Sequence, residues 1–138
     1  MTFKDLPPNV RTTPMSESHL RADLIDLLVG ERDRSLGCVG LWYCDEDLVA
    51  QQPVLISHAG HVAAPDARFI LDTLLQVAIG PVFVGLGRPG ASRFTSDDVA
   101  FAAEVEGACA RAGVACLGIY IASTDAVREI PEALRQAS

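Results

Sequence analysis

The stretch that most constrains this chain is 81–100, PVFVGLGRPGASRFTSDDVA. A continuous apolar run, Pro81 to Val84, passes into Gly85-Leu86-Gly87 and then a loop with two arginines. Thr95-Ser96-Asp97-Asp98 follows, with the pattern that opens a helix. An unbroken apolar run of this length reads as a strand buried on both faces. Helical spacing of Val99, Ala102, Val105 and Cys109 predicts a helix from Thr95 to about Ala112, with Gly113 as its stop. The next apolar run, 114–122, then completes a βαβ unit whose two strands must be parallel. In open α/β sheets, the loop beyond the carboxyl end of a strand is where sites are built. That places 85–98 at the centre of any functional reading.

The rest of the chain supplies partners for this unit. Residues 1–15, with Pro7, Pro8 and Pro14, read as a flexible N-terminal arm, and 16–138 as a single domain. Ser16 or Ser18 can cap a first helix whose apolar positions are Leu20, Leu24, Leu27 and Leu28, with Gly30 as stop. Glu31 to Ser35 reads as a charged turn. Cys38 to Tyr43 and Leu48 to Ile56 form a hairpin across Asp45-Glu46-Asp47. Residues 57–64, SHAGHVAA, read as a loop or short edge strand. Pro65-Asp66 starts a second helix with Ile70, Leu71, Leu74, Leu75 and Ala78 on one face and Gly80 as its end. The 125–137 segment reads as a turn and a short amphipathic helix. The fold class is α/β: a mixed central sheet with a hairpin and a parallel βαβ unit, flanked by helices.

Charge and composition narrow the function. Apolar residues make up 49% of 138, enough for a real core, and the net charge is −7. Nucleic-acid binders ordinarily carry a basic face, so nucleic acid is not an expected partner. The apolar runs are far short of a membrane span and the N-terminal stretch is polar, which predicts a cytoplasmic protein with no membrane partner. Cys38, Cys44, Cys109 and Cys116 form no C-x-x-C pair and read as small buried hydrophobes in a reducing compartment. Gly85, Gly87 and Gly90 match G-x-G-x-x-G literally. The helix cap comes only at Thr95, so this is not a dinucleotide fingerprint.

The order helix, hairpin, helix, strand, loop, helix, strand over 16–123 resembles the RadC branch of the JAB/MPN/JAMM family, with its cytidine-deaminase-like architecture. In that family an H-x-H and the Asp of a following S-x-x-D hold zinc, and a glutamate works on the metal-bound water. On the spacing H-x-H-x7-S-x-x-D, the histidines fall on Gly85 and Gly87, the serine on Thr95 and the aspartate on Asp98. The glutamate falls on Gln52. Glycine has no side chain to hold zinc, and an amide is no general base near neutral pH. The resemblance therefore implies a catalytically inactive relative, a pseudoenzyme with no catalytic residue and no expected cofactor. It would act as a binding or assembly module through a protein partner or self-association.

Thr95-x-x-Asp98 also has the form of a helix capping box. Arg88 and Arg93, beside a helix N-terminus and two glycines, form a candidate site for a small anion or acidic peptide in the former metal cleft. The competing reading has them on a solvated loop or paired with Asp97 or Asp98. The alternative function is a metal-dependent hydrolase of the peptidase or isopeptidase kind, with zinc held by His58, His61 and Asp98. A third is a DNA-repair accessory, by analogy with the RadC name. No Ser or Cys in the sequence sits in a visible triad pattern, and His19 is placed on the solvent side of the first helix.

Overall fold

The structure, a computed structural model, describes residues 12–57 and 64–136, with no side-chain description for 64–67 or 136. Helices α1 (Ser18–Leu28) and α2 (Glu31–Leu36) precede the hairpin β1 (Cys38–Cys44) and β2 (Ala50–Ser57). Then follow α3 (Ala64–Leu75), β3 (Val82–Gly87), α4 (Ser96–Ala112), β4 (Cys116–Ala122), β5 (Val127–Glu129) and α5 (Glu132–Gln136). The five strands form one mixed sheet in the order β2-β1-β3-β4-β5. β3 and β4 are parallel, as the βαβ reading requires, and the other neighbours are antiparallel. Among the described residues no helix is long and apolar enough to cross a membrane.

Every residue of β3 is buried, because the sheet is covered on both sides. One layer joins Val39, Leu41, Val84, Leu86 and Ile121 of the sheet to Leu71 and Leu75 of α3 and Phe101, Ala102 and Val105 of α4. The other joins Cys38, Phe83, Tyr120 and Ala122 to Leu24 and Ile25 of α1, with Val29 just beyond it. Within this second layer Trp42 stacks on Phe83 with centroids 6.4 Å apart, and Phe83 meets Tyr120 edge-on at 6.5 Å.

Several expectations are corrected. Residues 31–36 are helix α2, not a turn: Gly30, just past the end of α1 as expected, is also the N-cap of α2, and Glu31 and Asp33 lie in its first turn, where the dipole favours them. The stripe of α1 that faces the sheet is Arg21, Leu24 and Ile25, and Leu27 points outward at 39% exposure. Neither Ser16 nor Ser18 caps α1. Glu17 holds the N-cap position without a side-chain bond, and Ser18 Oγ instead donates to Glu129. Helix α3 ends at Leu75, before Gly80. Gly80 serves a close approach: a Cβ there would lie 2.5 Å from the Cys44 carbonyl oxygen. The segment 127–129, expected as a turn, is strand β5. The arm also ends earlier than expected. Pro14 bridges Val49, Met15 N–H donates to the Leu48 carbonyl at 2.8 Å, and the Met15 side chain is fully buried. The 57–64 segment lies largely outside the described residues.

Helix α1 lies unusually close to the sheet. A Cβ on Gly85 would sit 2.8 Å from Ile25 Cγ2, and one on Gly87 would sit 2.5 Å from Cys38 Sγ and 2.8 Å from Val29 Cγ1. Gly85→Ala should therefore cost about 1–3 kcal/mol by overpacking. Adding Ile25→Ala, which removes Cγ2, should offset part of that loss, read as a coupling in urea unfolding of the two single variants and the double. Additive losses would contradict the contact.

Candidate functional site

A cleft opens at the carboxyl end of β3, with a volume of about 550 Å³. Its floor is Leu86 and Gly87, its walls are the 88–93 loop and the first turn of α4, and Ser35 and Gly37 close it from the α2–β1 joint. The expected site stretch thus lines a real concavity.

Its chemistry is set by Arg88. The Asp98 carboxylate accepts from Arg88 Nε at 2.8 Å and from Nη2 at 2.8 Å. The remaining guanidinium hydrogens reach the carbonyls of Pro89 at 3.0 Å, Ala91 at 2.9 Å and Arg93 at 2.9 Å. All five N–H groups of an arginine are then engaged. The bond to Asp98 holds the guanidinium proton more firmly than usual. Arg88 is a loop-building residue with no donor left for an anion, which corrects its place in the candidate anion site and bears out its pairing with Asp98.

Asp98 is fully buried. It accepts from Thr95 N–H at 2.9 Å, and Thr95 Oγ1 accepts from Asp98 N–H at 3.1 Å, a complete capping box. This carboxylate is an N-terminal cap and an ion-pair partner at once. Gly90 takes a positive φ of 99°, and its N–H donates to Thr124 Oγ1 at 3.0 Å, which ties the loop to the end of β4. Arg128 stacks over Phe94 at 4.6 Å and donates to the Ser92 carbonyl at 3.1 Å. Arg93 is exposed on the rim.

Gly87 reaches the cleft through its backbone alone, and Gly85 and Gln52 do not line it. The Cα–Cβ directions at Gly85 and Gly87 lead toward α1, into Ile25, Val29 and Cys38. Gln52 lies exposed on the edge strand β2, opposite Tyr43, with its amide on the Pro53 carbonyl at 3.3 Å. It does not line the cleft. His58 and His61 lie outside the described residues. His19 is exposed, 3.5 Å from Glu17. Among the described residues no group of three or more His, Cys, Asp or Glu side chains is arranged to hold a metal ion.

Sequence reasoning missed two buried arginines. Arg34 donates from Nε to the Val29 carbonyl at 2.9 Å and from Nη1 to the Ser123 carbonyl at 3.1 Å, and it pairs with Asp26. It satisfies carbonyls at the end of α1. Arg21 donates to Tyr120 Oη at 2.9 Å and to the Met15 carbonyl at 2.8 Å. Nothing in the spacing of a surface-type residue marks it as buried. Cys38, Cys44 and Cys109 are buried as expected and Cys116 is half-buried, and burial pushes Cys38 and Cys44 each up to about 11.

Comparisons with protein-family models, with curated proteins and with solved structures found no match to this chain.

Two outcomes follow from this geometry. Asp98→Ala should cost about 3 kcal/mol or more, since it strands a largely buried guanidinium and removes a helix cap. A loss under about 1 kcal/mol in urea unfolding would show the pair to be dispensable. The second outcome concerns pH. Unfolded thiols ionise first, near 9.0, so the contribution of Cys38 and Cys44 is complete below that pH and is lost as pH rises to about 11. The urea midpoint should fall over that window, and less steeply in Cys38→Ala.

Proposed function

We propose that this chain is a non-catalytic, degenerate RadC-like JAB/MPN domain that works as a binding module, with the cleft above β3 as its docking point. The element order supports the resemblance: α1, hairpin, α3, β3, loop, α4 and β4 run in the sequence that suggested it. The observation that carries the function is the state of Asp98. It is the one retained ligand position, and its carboxylate is occupied by Arg88 and Thr95. The histidine positions of the family pattern are glycines pressed against α1, with no room for a side chain. What remains open is a cleft of ligand-binding size. Its rim carries the exposed Arg93, across from Asp97 in the capped first turn of α4, so the attraction for negative charge comes from the Arg93 guanidinium. A small anion or an acidic peptide segment suits that rim.

The test is an NMR titration of labelled protein with inorganic phosphate and then with a glutamate-rich peptide. Shifts should concentrate in Ser35–Gly37 and Gly87–Asp97 and weaken at least severalfold in Arg93→Ala. Shifts elsewhere, or none at millimolar ligand, would overturn the docking point.

A further inference from the structure

The cleft at the carboxyl end of β3 is richer in polar residues than in polar groups free to meet a ligand. Arg88 places every guanidinium hydrogen on Asp98 or on a carbonyl of its own loop. Asp98 also accepts from Thr95 N–H, Thr95 Oγ1 accepts from Asp98 N–H, and Ser35 Oγ donates to the Arg32 carbonyl at 2.8 Å. Backbone donors of the lining are taken as well. Gly37 N–H reaches the Asp33 carbonyl at 2.9 Å, Arg88 N–H the Ala122 carbonyl at 3.0 Å and Gly90 N–H Thr124 Oγ1 at 3.0 Å. What remains for a ligand to touch is chiefly the hydrocarbon of Leu86, Pro89 and Ala91 and the bare Cα positions of the lining glycines.

The rim differs. Arg93 is exposed, and its guanidinium forms no hydrogen bond or ion pair with another described residue. Asp97 stands on the same rim. These surroundings select a ligand in three ways. A polar group set against the walls loses water and gains no partner, so the part that enters is apolar. One negative charge at the mouth meets the Arg93 guanidinium. A second negative charge finds no further cation, because Arg88 is neutralised by Asp98, and it is repelled by Asp97.

We infer that the cleft takes a small apolar monocarboxylate, with its carbon chain against Leu86, Pro89 and Ala91 and its carboxylate at the mouth on Arg93. The cleft volume, about 550 Å³, falls within the range of small-molecule sites, about 300–1,000 Å³. The inference rests on the cleft above β3 being the docking point and narrows what docks there: an organic monoanion is preferred to phosphate and to an acid with two charges.

The experiment is a set of parallel NMR titrations of the labelled full chain with hexanoate, hexanol, hexanedioate and inorganic phosphate. Hexanoate should bind tightest of the four, with amide shifts concentrated in 35–37 and 86–97. At low salt it should exceed hexanol by about threefold to fivefold, the increment that an exposed ion pair supplies, and the margin should shrink as salt is raised. Arg93→Gln should bring hexanoate down to the level of hexanol and leave hexanol unchanged. That substitution keeps the Arg93 carbonyl that Arg88 uses, so the loop retains its bonds. Phosphate binding in the cleft as tightly as hexanoate would overturn the inference and leave the docking point standing. Equal binding of hexanoate and hexanol, or tighter binding of hexanedioate, would overturn it in the same way. Cleft shifts with none of the four would overturn both.

Discussion

Helix α1 approaches the central strands at a distance only glycine allows, and much of the molecule follows from that approach. Gly40 and Gly85 are paired across β1 and β3, with Gly87 two residues further along. Ile25, Leu28 and Val29 occupy the space that side chains at these positions would need. Dense packing makes such a seam intolerant of added volume. Arg34 then seals the carboxyl end of α1 by taking up the Val29 carbonyl, and α2 and β1 follow directly. The same seam leaves β3 without a side chain at Gly85 and Gly87 on the face that α1 covers.

The other half of the account is the loop that β3 delivers. An eight-residue connection such as 88–95, with one glycine and one proline, would be expected to move freely if nothing held it. Here one guanidinium gathers three of its carbonyls and is itself held by a buried carboxylate at the start of α4. An exposed ion pair would contribute little. This pair is bidentate, its aspartate is fully buried, and the same carboxylate caps the helix. Loop shape, helix start and cleft wall therefore stand or fall together. The cleft keeps its form because its charges are already satisfied internally, and that leaves recognition to the rim.

The sequence showed most where local chemistry and global packing agree. The run 81–87 could only be a doubly buried strand, and Thr95 with Asp98 announced the cap of α4. The βαβ unit and its parallel strands followed from those two points. It showed least where one residue has two uses. Gly30 follows the end of α1, as its sequence position suggested, and is also the N-cap of α2. Gly80 looked like the end of α3 but answers to the Cys44 carbonyl. Ser18 looked like a cap but faces Glu129 and Tyr120 across the molecule. Strand β5 is three residues long and needs its neighbour β4 to exist at all. For the site, the stretch 85–98 and the Asp98 pairing were readable. The direction of Gly85 and Gly87 was not, because strand alternation gives two faces and only the packing of α1 says which one it covers.

The central proposal is that, in the RadC-like register, packing and internal pairing have taken the positions where an active family member would bind metal. Elemental analysis of tag-free protein tests it most directly. The account predicts zinc far below one equivalent, unchanged in His58→Ala and His61→Ala. Zinc near one equivalent that falls in those variants or in Asp98→Asn would contradict it, and would make a rebuilt metal centre the function to pursue.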